Sequence, residues 1–355
     1  MASVVVIRSM RNMIRAGIVG CGGIVERRHL PGLLERSDAV QVCALADVSP
    51  DRLSLLAARA NLSPGHCYAD FRDMLAGESL DLLVVATPHA FHEAPVLAAA
   101  GKVPTIITEK PLTADLPSAE RMIQAAEQAG TALGVVHNQL DRPAVETATE
   151  ILRRGEIGEP FLYRVESLGP SHVVGRGIEQ NWRTQSVRGG GGCLIDNGYH
   201  NVYVAEKLIG APVVSVQGIA RTYVHAIDVE DTALVFLHHA NGATTSLQTA
   251  WSVVAGRGVA QGVNEIHATR GSICFEHSGR PVSVFRPGQA EPDWPDVIAE
   301  RPDDYGYYAF RDQLLGALAT GGALPVTGRD AYHILAVIEA AYQAARSGLS
   351  VEVVA

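Results

Sequence analysis

The chain has 355 residues, 47% of them hydrophobic and 19% charged, with a net charge of −9 at pH 7. That length allows two domains around a real core, and the acidic balance argues against nucleic acid or an anionic membrane as the main partner. No apolar run reaches the ~18 residues a transmembrane helix needs, and residues 1–13, broken by Arg8 and Arg11, read as a leader outside the ordered fold rather than as a signal peptide. The five cysteines (21, 43, 67, 193 and 274) form no Cys-x-x-Cys pair, which fits free thiols in a reducing cytoplasm. The adjacent His238 and His239 lie in an alternating run, where neighbours point to opposite faces, so they make a poor chelate and no metal site is expected.

Ile14 to Val19 is an apolar run leading into Gly20-Cys21-Gly22-Gly23 and a helical stretch from Ile24 to Arg36. Strand, glycine turn and helix form the context in which backbone amides approach a dinucleotide pyrophosphate. Val25 stands where the pattern's third glycine belongs, so taken alone the loop reads equally well as a structural turn. Val40 to Ala46 ends in Asp47, placed to bind an adenosine ribose and to repel a 2′-phosphate, which favours NAD over NADP. Ser49 and Pro50 open the next helix. Leu80 to Ala86 leads to Thr87-Pro88-His89-Ala90-Phe91-His92, and a helix from Glu93 to Ala100 stops at Gly101. His92, at a helix start, reads by itself as structural. Pro104 to Thr108 is a strand that ends in Glu109-Lys110-Pro111. Ligands of open α/β sheets sit beyond the carboxyl ends of strands, so Lys110 stands where a crevice begins, although a solvated charged pair would look the same. A helix from Pro117 to Ala129 and a strand from Ala132 to Val136 complete a doubly wound parallel sheet, and residues 1–137 read as one domain.

After His137 the rhythm changes, and residues 138–355 read as an α+β domain with a large open mixed or antiparallel sheet. A helix from Ala144 to Arg154 precedes strand-like runs at Phe161 to Leu168, Val213 to Tyr223, Thr232 to His239, Thr244 to Trp251, Glu265 to Ala268 and Ile273 to Phe275. Helices return at Tyr308 to Ala319 and Asp330 to Ser347. Asn181-Trp182-Arg183 precedes a glycine run, Gly189 to Gly192, that reads as a flexible approach loop. Leu194 to Ile209 reads as a helix, in which Asp196 and His200 share a face. A carboxylate beside an imidazole fixes its tautomer and suits a proton shuttle, but the same spacing also suits a plain surface pair.

In this order, the glycine loop after a strand, Asp47, Thr87-Pro88 with His92, Glu109-Lys110-Pro111, Trp182-Arg183 and Asp196-x-x-x-His200 resemble the glucose–fructose oxidoreductase / inositol dehydrogenase / rhizopine-catabolism family (Gfo/Idh/MocA), from about Ile14 to Val354. The resemblance implies an N-terminal Rossmann domain and a C-terminal sheet that mediates homodimers or homotetramers. It implies NAD, with NADP less favoured, held by Gly20, Gly22, Gly23, Ile24, Asp47, Thr87, Pro88, His92, Glu109, Lys110, Asn138, Trp182 and Arg183. It implies Lys110, Asp196 and His200 as catalytic residues. Candidate substrate contacts beside them are Asn138, Arg142, Trp182, Arg183, Asn197, Tyr199 and Trp251, a polar and aromatic set suited to a hydroxylated ring, although a tryptophan ending a strand usually belongs to the core. The implied reaction moves a hydride between nicotinamide and a secondary alcohol or ketone of a sugar, cyclitol or amino sugar. His200 exchanges the hydroxyl proton, Lys110 steadies the oxygen, and Asp196 orients His200 or binds a neighbouring hydroxyl.

The chain also departs from the family pattern. His89 replaces the more usual Asn, and Gln139-Leu140-Asp141-Arg142 replaces an aromatic-and-arginine run, which points to an unusual substrate. Asp141 and Glu179 would tolerate an amino group on it, as in an aminoglycoside-type intermediate. Two rival readings are a sugar-sensing regulator that binds dinucleotide without turnover and a glycoside hydrolase that uses bound NAD transiently.

Overall fold

The computed structural model describes residues 13–169, 181–253, 262–276, 282–296 and 305–354. Short apolar strands, β1 (Ile14–Val19), β2 (Val40–Ala46), β3 (Cys67–Tyr68), β4 (Leu82–Val85), β5 (Thr105–Thr108) and β6 (Ala132–Val135), pair in parallel in the order β3-β2-β1-β4-β5-β6. Every residue of β4 and β5 is buried, as a sheet covered on both faces requires. The covering helices are α1 (Leu30–Glu35), α2 (Pro50–Ala60), α3 (Phe71–Gly77), α4 (Glu93–Ala99) and α5 (Leu116–Ala129). Ser49 and Asp115 cap α2 and α5 through their side chains. The strand order turns back between β1 and β4, which opens a crevice beyond Val19 and Val85.

The helix expected from Ile24 is divided: a π-helical turn at Val25–His29 precedes α1. Pro31 has no N–H to return to the preceding turn, so regular α-helical bonding cannot run through it.

The chain crosses to the second sheet through a 3-10 turn (Asn138–Asp141) and α6 (Pro143–Arg153). That sheet contains β7 (Pro160–Leu168), β8 (Val213–Arg221), β9 (Thr232–His239), β10 (Thr244–Ala250), β11 (Val263–Ala268), β12 (Gly271–Glu276), β13 (Ser283–Phe285) and β14 (Val351–Glu352), in the order β13-β12-β11-β7-β10-β9-β8-β14. β7 and β10 pair in parallel and the other described neighbours pair antiparallel, so the sheet is mixed. β3, β13 and β14 carry too few residues to leave a periodic signature in the sequence.

Between β7 and β8 come α7 (Ser186–Gly189), a π-helical turn at Leu194–Gly198 and α8 (Tyr199–Ile209). The expected helix from Leu194 therefore begins with this wider turn. After β13 come α9 (Tyr307–Thr320) and α10 (Gly328–Ser347), the latter opened by a Thr327–Asp330 capping box. α10 packs on β8 of the second sheet and on α5 and β6 of the first. Gly134 lets this happen, because a Cβ there would stand 2.8 Å from the Val326 carbonyl.

Candidate active site

The glycine loop is shaped by one compulsory glycine. Gly20 has φ +92°, and a Cβ on it would stand 2.6 Å from the Ala86 carbonyl oxygen. Gly22 has nothing within 4 Å of the place a Cβ would take, so its missing side chain leaves an open cradle. Asp47, just beyond β2, accepts the Cys21 N–H at 2.5 Å and the Ser49 N–H at 2.8 Å, which turns its carboxylate toward the loop. Arg52 braces the same loop, donating to the Cys21 carbonyl at 2.7 Å and pairing with Glu26 at 2.8 Å. Burial, followed by the Asp47 charge, pushes the Cys21 thiol up to about 12, so this loop cysteine is not a nucleophile.

A cleft of about 1040 Å³ runs from this loop to the second domain. Gly20, Gly22, Gly23, Ile24, Asp47, Thr87, Pro88, Glu109, Lys110, Trp182, Arg183, Asp196, Asn197 and His200 all line it. β5 ends at Thr108 and delivers Glu109 and Lys110, followed by a cis Lys110–Pro111 peptide. Lys110 Nζ donates to Asp196 Oδ1 and to the Asp196 backbone carbonyl, both at 2.8 Å. Arg183 Nε lies 3.2 Å from Asp196 Oδ2, and its guanidinium lies over the Trp182 ring at 4.2 Å. Asp196 is thus held between two cations.

Glu109 is buried beneath this cluster. Its Oε1 meets His29 Nε2 at 2.7 Å and the Tyr307 hydroxyl at 3.4 Å. Burial opposes its charge, but the bond from His29 and the nearby Lys110 hold its carboxyl below the usual glutamate range.

The expected Asp196–His200 bond is replaced by another. His200 Nδ1 meets the Tyr203 hydroxyl at 2.5 Å, while the carboxylate faces Lys110 and Arg183. A π-helical turn opens this helix, but it is these competing partners that keep the carboxylate and the imidazole from meeting.

Four residues expected at the site lie elsewhere. His92 is fully buried, with its two ring nitrogens at the carbonyls of Pro111 and Leu112 and of Thr87, so it ties together the loops that follow β4 and β5. Asn138 donates to the Tyr305 carbonyl at 2.6 Å, and the Arg142 guanidinium lies over the Tyr305 ring at 5.0 Å; neither lines the cleft. Tyr199 is fully buried between His137 Nε2 at 3.1 Å and the Ala331 carbonyl at 3.2 Å. It precedes His200 by one position, and adjacent helical residues cannot share a face.

Trp251 does not line the cleft either. It is buried, and its indole N–H donates to Asn197 Oδ1 at 2.7 Å. Asp141 accepts from Gln313 and is not a cleft residue, while Glu179 lies outside the described residues.

The Gly189–Gly192 run is packed, not flexible. A Cβ on Gly191 would overlap the Tyr342 hydroxyl, and one on Gly192 would overlap the Glu230 carbonyl. The buried Glu230 carboxylate accepts the N–H groups of Gly192 and Leu194 at 2.9 and 2.8 Å and the Tyr342 hydroxyl at 2.9 Å. It thereby fixes the turn that carries Asp196.

Other cleft residues gave little signal in the sequence. Arg27 and Arg188 look like ordinary helix-surface cations, and Val48, Phe71 and Phe91 like stray apolar residues. His89, noted only as a departure, donates Nδ1–H to the Gly189 carbonyl at 2.9 Å and packs edge-on to Trp182. Burial lowers its pKa well below that of a free imidazole, so it is neutral. Among the described residues no group of three or more His, Cys, Asp or Glu side chains is arranged to hold a metal ion.

Residues 14–137 match an oxidoreductase family with an NAD-binding Rossmann fold, and residues 145–274 match the GFO/IDH/MocA C-terminal domain. The chain belongs to the Gfo/Idh/MocA family. A D-apiose dehydrogenase of Paraburkholderia graminis is 29% identical to it, over 95% of this chain and 89% of its own. An oxidoreductase of Agrobacterium radiobacter, solved with NAD+, L-tartaric acid and magnesium, shares its fold with a TM-score of 0.83 at 23% identity, covering 96% of this chain and 99% of that one. A levoglucosan dehydrogenase solved with NADH and levoglucosan does so with a TM-score of 0.83 at 24% identity, covering 96% and 100%.

This Gfo/Idh/MocA protein is therefore an NAD-binding oxidoreductase, and its own residues fit the dinucleotide. The open cradle at Gly22 admits a pyrophosphate, and the Asp47 carboxylate beside it suits a ribose diol. No helix among the described residues is long and apolar enough to cross a membrane.

Proposed function

We propose that this protein interconverts a secondary alcohol and a ketone on a sugar or cyclitol, using NAD. The observation that carries this reading is the cluster of Lys110, Asp196 and His200 in the same cleft as the glycine loop. Gly20, Gly22, Gly23, Ile24 and Asp47 would hold the adenosine and pyrophosphate half of the dinucleotide. Thr87, Pro88, Glu109, Trp182 and Arg183 would line its nicotinamide end. When bound, the nicotinamide supplies hydride exchange with the carbinol carbon.

The chain's own residues supply the rest. The Lys110 ammonium, held by the two bonds it donates to Asp196, also donates to the carbinol oxygen and stabilises negative charge there. His200 takes or returns the hydroxyl proton through Nε2, because Nδ1 is bonded to Tyr203. Asn197 presents its amide N–H groups to a neighbouring hydroxyl, since its oxygen already accepts from Trp251. Asp47 repels a 2′-phosphate, which supports NAD over NADP.

The outer face of the second sheet carries Leu234 opposite Ile219 and, beside them, Phe236, with exposures of 38%, 41% and 50%. This apolar face supports a homodimer or homotetramer built through that sheet. The five cysteines all stand as free thiols, which fits work in a reducing cytoplasm.

The test is to follow NADH and NADPH formation with a panel of sugars, inositols and aminoglycoside fragments. NADH formation with at least one of them, lost in His200→Ala while NAD still binds, is the expected result. NAD binding without turnover on any substrate would overturn the reading.

A further inference from the structure

Building on the reading of His200 as the proton-exchanging group, we infer that Tyr203 is its positioning residue, and that a neutral hydroxyl at Nδ1, in place of a carboxylate, sets how readily His200 holds its proton. α8 sets Tyr203 three positions after His200, on the same face. Its hydroxyl lies 2.5 Å from His200 Nδ1 and accepts the Gln139 N–H at 3.2 Å. Its ring is clamped by His137, stacked at 4.2 Å with 10° between the planes, and by Tyr199 edge-on at 6.0 Å. Tyr203 is only 3% exposed, so neither ring nor hydroxyl has an alternative position in solvent.

A phenol can serve both His200 tautomers as well as the imidazolium. When His200 is to accept a proton at Nε2, its Nδ1–H donates to Tyr203 Oη. Once Nε2 is protonated, the same bond steadies the imidazolium. When Nε2 holds the proton of a neutral ring, the tyrosine O–H turns and donates to Nδ1. A carboxylate could accept from Nδ1–H but could not make the last bond, and its charge would favour the imidazolium.

Among the described residues, the side chains that clamp Tyr203 carry no charge. Burial pushes the Tyr203 and Tyr199 hydroxyls up and holds His137 down to about 3, so all three are neutral. Among the described residues the nearby charges face other partners, Glu206 pairing with His333 at 2.7 Å. Lys110 and Arg183 face Asp196, Glu109 faces His29 and Tyr307, and Asp141 accepts from Gln313.

The experiment compares wild type, Tyr203→Phe and Tyr203→Glu, with His200→Gln as the control. It reads the pH profile of kcat/KM and the ¹⁵N-histidine NMR titration of His200, assigned by its loss in the control. Hydrogen bonds to charged groups are the stronger ones, so removing the Nδ1 acceptor costs the imidazolium most. In Tyr203→Phe the His200 titration should therefore move down by roughly 0.5–1 pH unit, and in Tyr203→Glu it should move up by roughly 1–2. A role in packing alone would lower activity without shifts of opposite sign.

Should Tyr203→Glu fail to fold, the Tyr203→Phe titration decides alone. A folded Tyr203→Phe whose His200 titrates as in wild type overturns the inference. If the NMR titration moves as expected but His200→Gln keeps its turnover and pH profile, it is the catalytic reading of His200 that fails, and the Tyr203 contact stands.

Discussion

Lys110 grips Asp196 twice, at Oδ1 and at its backbone carbonyl, each at 2.8 Å. The lysine follows β5 of the parallel sheet and the aspartate sits in the turn that opens α8, so the pair fastens one domain to the other across the cleft. Its side chains are 11% and 4% exposed. Removing the lysine leaves the buried carboxylate to Arg183, whose Nε lies 3.2 Å away.

Lys110→Met should lower kcat by about 10²–10³-fold, the usual loss when one donor to a developing oxyanion is removed. NADH binding, followed by fluorescence titration, should change by no more than a few-fold, because the adenosine half of the cleft is untouched. A kcat within a factor of a few of wild type would show that the ammonium does not touch the reacting oxygen.

The pattern of apolar runs and glycine turns was enough to read all of the parallel sheet but its two-residue edge strand β3, most clearly at β4 and β5, which are buried throughout and carry uninterrupted apolar or β-branched sequences. The lining of the cleft was readable only where a residue sits at a strand end or in a glycine loop, as Asp47, Lys110 and Gly22 do. Side chains that reach the cleft from the middle of a helix, such as Arg27, or from a distant element, such as Tyr307, leave no such mark. Asn138, Arg142 and Tyr199 have the chemistry of substrate ligands, but their directions are set by tertiary partners. Tyr305 takes the first two and Ala331 the third, and no local pattern encodes those contacts. The Asp196–His200 spacing was equally ambiguous, because it carries no sign that Lys110 and Arg183 take the carboxylate while Tyr203 takes the imidazole.

Stability should fall on acidification because four of the described histidines are buried neutral. His89, His92, His137 and His239 all have their pKa lowered, in each case chiefly by burial. Below the ordinary imidazole value the unfolded chain binds protons that the folded chain refuses, so stability rises with pH. Their contribution is present above about pH 6.5 and drains away below it. For His137, held down to about 3, the loss between pH 6.5 and pH 5 is on the order of 2 kcal/mol. Thermal melts at pH 7.5, 6 and 5 check this. The drop in Tm should be shallower in His137→Gln than in wild type, whatever that variant's Tm at pH 7.5, and equal slopes would contradict the assignment.

Trp251 and Asn197 give a test of how the substrate is read. An indole N–H only donates, so the Asn197 atom 2.7 Å from it must be the oxygen, and the amide N–H groups point the other way. Trp251→Phe keeps most of the ring volume and removes only that donor, which frees the amide to turn over. The expected outcome is a KM for the sugar or cyclitol raised about 3- to 10-fold, matching the ~0.5–1.5 kcal/mol of one hydrogen bond, with the KM for NAD unchanged. If Trp251 acts through Asn197, then Asn197→Ala alone should raise the substrate KM at least as far. The double variant should be no worse than Asn197→Ala, since two residues in one chain of contacts are not additive. Independent, additive losses in the double variant would mean that Trp251 affects the cleft by packing and that Asn197 is oriented by something else.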